Sequence, residues 1–489
     1  MTLWLMAGLL FTPLAWAVLT LLTDFRWGRW VTSFGILVQV LVSLGLWLTI
    51  ARDGGFYYGL GGWDAPLGIE LRVDGLAVTF VLLTAVVASA CGWHAGVYID
   101  PDKAWHRYFW PLFWFLWSGL NAVWLGGDLF NLYVGLELIS LSAVGLVALG
   151  GKAAALRASL RYLLAALLGS LAYLLGVALL YGQFGSLSIA GVATLLADNP
   201  APAGSGLALA LMVTGLALKT ALFPLHQWLP PAHGIAKSPV SALLSALVVK
   251  ASFYIAARLW LEFGATIGSF AAAQLVGLLG SAAVVWGSWL AFRQQQLKQV
   301  VAYSSVAQIG YLFLLFPLTY SVSEAVSLQA QQGITLQVIS HGLAKAAMFL
   351  AAGNLILSVG SGRIEALAGV SRFLPFSLFS FGLAGVSLMS LPPTGGFTAK
   401  WLLLQASLGS GQWWWVAVLL AGGLLSAAYV FRIYRASFLE RPETDRFYHP
   451  PRSLEVIPMI LALLSLGLGL ASEQVLSVMA LPFEEAGAP

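Results

Sequence analysis

The chain has 489 residues, of which 60% are hydrophobic and 9% charged, with a net charge of +4 and a mean hydropathy of +0.87. That balance excludes an ordinary soluble domain and makes this a membrane protein, and the small basic excess fits membrane topology rather than nucleic-acid binding. Cys91 is the only cysteine, which excludes an intramolecular disulfide and leaves no thiolate set for an iron–sulfur cluster or a structural zinc.

The first run, MTLWLMAGLLFTPLAWAVLTLL, has no basic leading region and no evident cleavage site, and is read as a retained helix. Apolar stretches of about 20 residues then recur near 3–22, 31–50, 74–98, 109–127, 129–149, 157–181, 206–230, 238–262, 268–292, 299–319, 331–358, 374–405, 412–437 and 455–476. They predict an all-α polytopic membrane protein of about fourteen spans forming one body. Between spans two and three, RDGGFYYGLGGWDAPLGIELRVD at 52–74 combines glycines, aromatics and a short alternating run, and predicts an external hairpin. Residues 438–454 are the most polar stretch and are read as a solvated loop.

Seventeen of the 24 basic residues fall in the odd-numbered connections. They are Arg26, Arg29, Lys103, Arg107, Lys152, Arg157, Arg161, Lys237, Arg293, Lys298, Arg363, Arg372, Arg432, Arg435, Arg441, Arg446 and Arg452. The even connections hold Arg52, Arg72 and Arg258, so the positive-inside rule places the odd connections in the cytoplasm and both termini on the other side. Lys219, Lys250, Lys345 and Lys400 remain, and all four fall inside predicted spans. A charge at the bilayer centre costs about 2.5–3.5 kcal/mol on insertion scales, so such lysines are rare and face a wet or protein interior. Snorkelling accounts for a lysine near a helix end but poorly for Lys219, Lys250 and Lys345, which sit deep in their spans.

Glu137, in GGDLFNLYVGLELISL, is the one carboxylate well inside a span and the natural partner for Lys219. An ammonium group loses its proton more readily in apolar surroundings and holds it more firmly beside a carboxylate. A Glu137 that approached and withdrew would therefore switch Lys219 between holding and releasing a proton. In GLALKTALFPLHQWLPP, Pro224 interrupts the helix just after Lys219, with His226 beyond it. Along the eighth span Lys250, Tyr254 and Arg258 share a face, and Ser241 and Ser245 line the preceding turns. The tenth span carries AYSSVAQIGY, whose Tyr303, Ser304, Ser305, Gln308 and Tyr311 can hold water in mid-membrane. In the eleventh, Gln337, His341 and Lys345 recur every four residues on one face. A polar stripe of this kind can be interhelical glue, but imidazole beside ammonium supplies two exchangeable groups one turn apart. Pro392 and Pro393 in LPPTGGFTAKWLL, followed by Gly395 and Gly396, predict a second broken helix, ahead of Lys400. Interrupted helices in corresponding positions of two halves are what an inverted-topology repeat produces.

Five ordered motifs now carry a resemblance: DLFNLYVGLELISL, LKTALFPLHQWLPPAHGIAKSPVSALLSALVVKASFY, LKQVVAYSSVAQIGYLF, SHGLAKAAMFLAAGN and LPPTGGFTAKWLLLQA. Together they resemble the antiporter-like subunits shared by respiratory complex I, membrane-bound hydrogenases and Mrp-type sodium/proton antiporters. The hairpin segment and total length are most similar to the Mrp D-type subunit. The resemblance implies fourteen helices and two inverted five-helix repeats, at 108–262 and 268–437, with helices seven and twelve broken. Residues 1–107 would supply helices one to three, and 438–489 the cytoplasmic loop and last helix. It further implies that Glu137 and Lys219 form the first-half pair, Lys250 the link, His341 and Lys345 the central relay, and Lys400 the terminal group. The family often has an acid where this chain has Pro231, and Lys237 is unusual before the Ser-Pro.

The expected function is that of a proton-translocating subunit in a multi-subunit complex of a bacterial or archaeal cytoplasmic membrane, with other membrane subunits as partners and sodium as the exchanged cation. The alternatives are the proton-pumping subunit of an NADH-quinone oxidoreductase or membrane hydrogenase, an energising subunit for inorganic-carbon uptake, and a passive scaffold. No Walker motif, dinucleotide fingerprint or HExxH occurs, so no cofactor or metal is expected on this chain. His94 and His341 lie on distant spans and are read as making polar contacts rather than ligating haem.

Overall fold

The computed structural model describes residues 2–63, 68–100, 107–198, 201–440 and 447–481. Helices α1 (Thr2–Leu21) and α2 (Phe25–Asp53) lead into a hairpin of β1 (Phe56–Gly59) and β2 (Glu70–Val73). Then come α3 (Gly75–Tyr98), α4 (Phe109–Leu125), α5 (Leu129–Ala148), α6 (Ala153–Phe184) and the short α7 (Ile189–Asp198). Next are α8 (Ser205–Thr220), α9 (Leu229–Ile235), α10 (Ser238–Leu243) and α11 (Val249–Ile267). The second half runs through α12 (Phe270–Arg293), α13 (Leu297–Leu312), α14 (Leu315–Thr319), α15 (Glu324–Val359), α16 (Val370–Phe373), α17 (Pro375–Met389), α18 (Gly395–Gly409), α19 (Trp414–Ser437), α20 (Arg452–Leu470) and α21 (Ser472–Met479).

Among the described residues twelve helices are long and apolar enough to cross a membrane. The expected spans missing from that set are the fourth and the twelfth. The fourth is α4, 17 residues long, and the twelfth is divided into α17 and α18, of 15 residues each. The short helix α7 lies in a stretch that the sequence assigns to a connection, and α21 begins within the expected last span, which α20 ends at Leu470.

Helix starts follow residue chemistry. Asp24, Asp74, Asp128, Ser269, Ser323 and Thr394 each accept a hydrogen bond from the backbone N–H three residues on, supplying a partner that the first turn lacks. Close helix packing follows the small residues. A Cβ at Gly169 of α6 would lie 2.7 Å from the Gly215 oxygen of α8, and one at Gly280 of α12 would lie 2.5 Å from the Gly310 oxygen of α13. Small residues let backbones approach where lipid supplies no hydrophobic drive between helices.

The two ends of the bundle are distinct. At one, the hairpin pairs Phe56 with Val73 and Gly59 with Glu70, Leu71 bridges Gly126, and Asp128 bridges Ser188. The predicted hairpin is thus present, with 64–67 of it outside the described residues. At the other end Gln296 bridges Arg363, Arg29 reaches the Gly96 oxygen, and Arg432 reaches the Gln294 oxygen. Arg29, Lys298, Arg363 and Arg432 of the odd connections are placed there by these contacts and by the Lys298 bond to the Ala236 oxygen; Lys103, Arg441 and Arg446 lie outside the described residues, as does part of the polar 438–454 stretch. One assignment is corrected. Arg258, counted as part of an external connection, is buried within α11 and paired with Asp74.

The most enclosed spans are Ser238–Gly264, Leu297–Thr319 and Glu324–Val359, which form the middle of the protein. Lys250, Gln308, Gln337, His341 and Lys345 lie on these three spans.

Candidate functional site

Both expected helix breaks are present and are built alike. Helix α8 ends at Ala221 (φ 62°), whose N–H bonds the Ala217 and Leu218 oxygens, and α17 ends at Ser390 (φ 62°), bonding Val386 and Ser387. Each break then passes through a cis X–Pro bond, Phe223–Pro224 in the first and Pro392–Pro393 in the second. Beyond Pro224 a 3-10 turn holds His226, whose ring stacks on Phe223 at 5.6 Å. Trp228 closes this break by donating to the Leu218 oxygen at 2.9 Å.

Three helices converge at the first lysine. Lys219 Nζ of α8 lies 3.3 Å from Glu137 Oε1 of α5 and donates to Ser170 Oγ of α6 at 2.5 Å, while Ser170 donates to the same Glu137 oxygen. The expected Glu137–Lys219 pair is therefore formed, with a hydroxyl bridging it that sequence reading missed. Ser170 is one serine in a long apolar helix, and no periodicity marks it. Lys219 is buried while the Glu137 side chain keeps 20% of its exposure, so the carboxylate is the less enclosed member of the pair. A void of about 10 Å³ lined by Ser140, Lys219 and Ser252 separates Lys219 from α11, barely the room one water needs.

The second lysine depends on an irregular turn. Residues Leu244–Val248 form a π-turn between α10 and α11, and the freed Ser245 oxygen accepts from Lys250 Nζ. Such turns frequently mark functional positions because they leave a carbonyl unpaired. From there a hydrogen-bonded succession crosses between helices. Ser245 Oγ meets Ser305 Oγ at 2.8 Å, Ser305 donates to the Val301 oxygen at 3.0 Å, and Lys345 Nζ donates to that oxygen at 3.1 Å and also to Ser304 Oγ. Lys250 and Lys345 thus stand at the two ends of this succession, each on a backbone carbonyl, Ser245 for Lys250 and Val301 for Lys345.

Tyr254 and Arg258 share a face with Lys250 but turn to other partners. The Tyr254 hydroxyl donates to the Trp124 oxygen at 2.7 Å and accepts from Arg258 Nη2 at 2.9 Å. Arg258 also bonds Asp74 at 2.5 Å, Arg72 bonds Asp74 at 3.0 Å, and Arg72 pairs with Glu262. Burial would raise the Asp74 carboxyl, but Arg258 and Arg72 outweigh it and hold Asp74 below its ordinary value. The hairpin-end cluster is thus a closed set of ion pairs.

In the second half Gln337 donates to Gln308 at 2.9 Å, and Gln308 donates to Ser426 at 3.2 Å. His341 is buried with neither ring nitrogen hydrogen-bonded among the described residues, within electrostatic reach of Lys250, Lys345 and Lys400. Lys400 is likewise buried and has no hydrogen-bond acceptor there; its ammonium lies 4.0 Å from the centre of the Tyr311 ring. His233 was not singled out from the sequence. It is fully buried, with both nitrogens unpartnered among the described residues, and within electrostatic reach of Lys298, Lys345 and Lys250. His94 makes the polar contact expected of it, with Asn354 Oδ1 at 3.0 Å.

Residues 126–426 match the family described as NADH:quinone oxidoreductase/Mrp antiporter, TM. The chain is 36% identical over 448 residues to the N-type subunit of the NADH-quinone oxidoreductase of Desulforudis audaxviator, covering 88% of this chain and 87% of that one. It is 28% identical over 452 residues to the D-type subunit of the Na(+)/H(+) antiporter of Alkalihalophilus pseudofirmus, covering 91% and 89%. It superposes on a chain of the membrane-bound sulfane sulfur reductase, an archaeal respiratory membrane complex, with a TM-score of 0.88 at 27% identity, covering 98% and 96%.

Proposed function

This chain belongs to the NADH:quinone oxidoreductase/Mrp antiporter transmembrane family, and from that premise we propose that it is the proton-translocating subunit of a multi-subunit membrane complex. Protons pass along a buried axis from the Glu137–Lys219 pair through Lys250, His341 and Lys345 to Lys400. The observation that carries the reading is the succession of buried lysines, one held by a carboxylate and two ending on the Ser245 and Val301 carbonyls, with the Ser245 and Ser305 hydroxyls hydrogen-bonded between them. Each step is the exchange of a proton between neighbouring basic groups; the Ser170 hydroxyl bridges Glu137 and Lys219, whereas between Lys250 and Lys345 the Ser245 and Val301 carbonyls only accept, so exchange there runs through water beside the Ser245, Ser304 and Ser305 hydroxyls. Glu137 sets the proton affinity of Lys219 by its distance, and the broken helices at Pro224 and at Pro392–Pro393 free backbone groups beside the path.

The spans number fourteen in this reading, arranged as two inverted five-helix repeats with the end opposite the hairpin in the cytoplasm of a bacterial or archaeal cell and both termini outside. The driven reaction is exchange of sodium for protons, as the name of the antiporter relative supports. A second reading, proton pumping driven by a redox arm on other chains, is favoured by the relative named for a quinone oxidoreductase. Reconstitution of the purified complex in vesicles separates them. Sodium-dependent dissipation of an imposed pH gradient supports the first, and sodium-independent pumping on addition of a quinone or hydrogen couple supports the second. In either case Lys219→Ala should abolish flux with assembly intact; unchanged flux in that variant would leave only the scaffold.

A further inference from the structure

A cavity of about 510 Å³ opens at the hairpin end between β2, α3, α11, α14 and α15. Charged and titratable groups facing it are Arg72, Asp74, Arg258, Glu262, Tyr254 and Tyr320. Its depth follows from α15. Ser327, Gln331, Ile334 and Val338 line the cavity, and the same alternation of four- and three-residue steps continues to His341 and Lys345. At 3.6 residues per turn these six positions fall within about 80° of arc, so one face of an uninterrupted helix runs from the cavity mouth to the two basic groups. From Ser327 to Val338 that face descends about 16 Å, and His341 lies only about 4.5 Å further on. Burial deepens along it: Ser327 and Gln331 are half-buried, whereas Ile334, Val338, His341 and Lys345 are buried.

The two walls differ in what they leave available. On the α11 side Arg258 is committed to Asp74 and Tyr254, and Tyr254 to the Trp124 oxygen, so those groups close the wall. On the α15 side the polar groups form a ladder, with Thr335 donating to the Gln331 oxygen at 2.9 Å and Gln331 to Ser327 Oγ at 3.2 Å. Between this ladder and His341 stand the side chains of Ile334 and Val338. Apolar constrictions of this kind gate by excluding water.

We propose that the cavity is a proton mouth of the central relay, reaching His341 from the hairpin end along α15 and closed at rest by Ile334 and Val338. The proposal rests on the proton-relay reading above and adds a mouth at the middle of the chain, distinct from the Lys400 end. The two arginines facing the cavity are paired with the two carboxylates, Asp74 and Glu262, so the lining carries no net charge, and the species taken is the proton because the groups it leads to, His341 and Lys345, exchange protons.

The test uses the complex reconstituted in vesicles with Cys91, which is buried, replaced by serine. Single cysteines are placed by Thr335→Cys and Val338→Cys, with Glu473→Cys on exposed α21 as a control at the same end and Arg157→Cys as a control at the other. A membrane-impermeant, positively charged thiol reagent should modify Thr335→Cys and Glu473→Cys from the same face, and the adduct at Thr335→Cys should cause loss of proton flux. Val338→Cys should react only during turnover, and Val338→Ser should raise passive proton leak. Absence of reaction at Thr335→Cys in a complex whose Glu473→Cys reacts, or reaction without loss of flux, would overturn the mouth. Unchanged leak in an assembled Val338→Ser complex would overturn the gate. Labelling reads access alone, so these results stand apart from the Lys219→Ala test, whose failure would remove the relay itself.

Discussion

The two broken helices place a lysine in opposite electrostatic company. Lys219, two residues before its break, has a carboxylate at 3.3 Å and a serine between them, whereas Lys400, seven residues after Pro393, lies against the face of Tyr311 with no hydrogen-bond acceptor among the described residues. Alike backbones at the two breaks therefore do not produce alike sites. A lysine beside a carboxylate is held charged by a partner that can move, while one above an aromatic ring is held by a fixed quadrupole. In the proposed relay the first station is switched by displacing Glu137, and the second is governed by the charges that arrive along the axis.

The largest test of this contrast is removal of the ammonium groups themselves. Lys219→Ala and Lys400→Ala should each reduce proton flux in vesicles to background while the complex still assembles; retention of flux in either would remove that lysine from the path. At the level of stability, Asp74→Asn supplies the reference for a fully paired charge and should destabilise the protein at neutral pH by about 3 kcal/mol, because Arg258 loses its buried partner. Asp74 is held below its ordinary value in the folded state, so its contribution is full above the unfolded value of about 3.9 and lost as pH falls through the lower folded value. Thermal unfolding curves of the wild type and Asp74→Asn should accordingly converge only below about pH 4. Convergence already at neutral pH would show that these ion pairs carry no weight.

Smaller effects separate the two stations more finely. Gly169→Ala should cost about 1–3 kcal/mol by overpacking, since its Cβ would fall 2.8 Å from the Lys219 Cγ and 2.7 Å from the Gly215 oxygen. Glu137→Gln should lower flux and displace its pH profile toward acid, because Lys219 then holds its proton less firmly. An unaltered profile would mean that Glu137 orients Lys219 without setting its affinity. The least effect is expected at Tyr311, where Tyr311→Phe keeps the ring and should leave flux near wild type, and Tyr311→Leu should cost the Lys400 contact about 1–2 kcal/mol.

Much of the site was legible in the letters because lipid makes each polar exception costly. Glu137, Lys219, Lys250, His341, Lys345 and Lys400 stood out as charges or a titratable ring in apolar runs, and Pro224 and Pro392–Pro393 as interruptions of helices. Ser170 and the π-turn at Leu244–Val248 did not, because a serine is inexpensive in any helix and a π-turn is a property of backbone register. His233 was readable as a residue type but sits beside prolines and glycine in a stretch that reads as a helix end. Arg258 was read both on the face of the eighth span and as part of an external connection, and only the first holds, because its partner Asp74 lies 184 positions earlier in the chain.

Sequence by itself determined the membrane-spanning class, the approximate spans, the two breaks and the lysines that need a partner. Hydropathy and proline act locally, and a local rule needs no knowledge of what a helix touches. The tertiary structure decided which partner each lysine has: a carboxylate through Ser170 for Lys219, the Ser245 carbonyl for Lys250, α13 for Lys345 and an aromatic face for Lys400. It also decided that the face of α15 bearing His341 continues into an open cavity. Those outcomes depend on helices distant in sequence meeting at a given rotation, which packing of glycines and side chains fixes and no local pattern encodes.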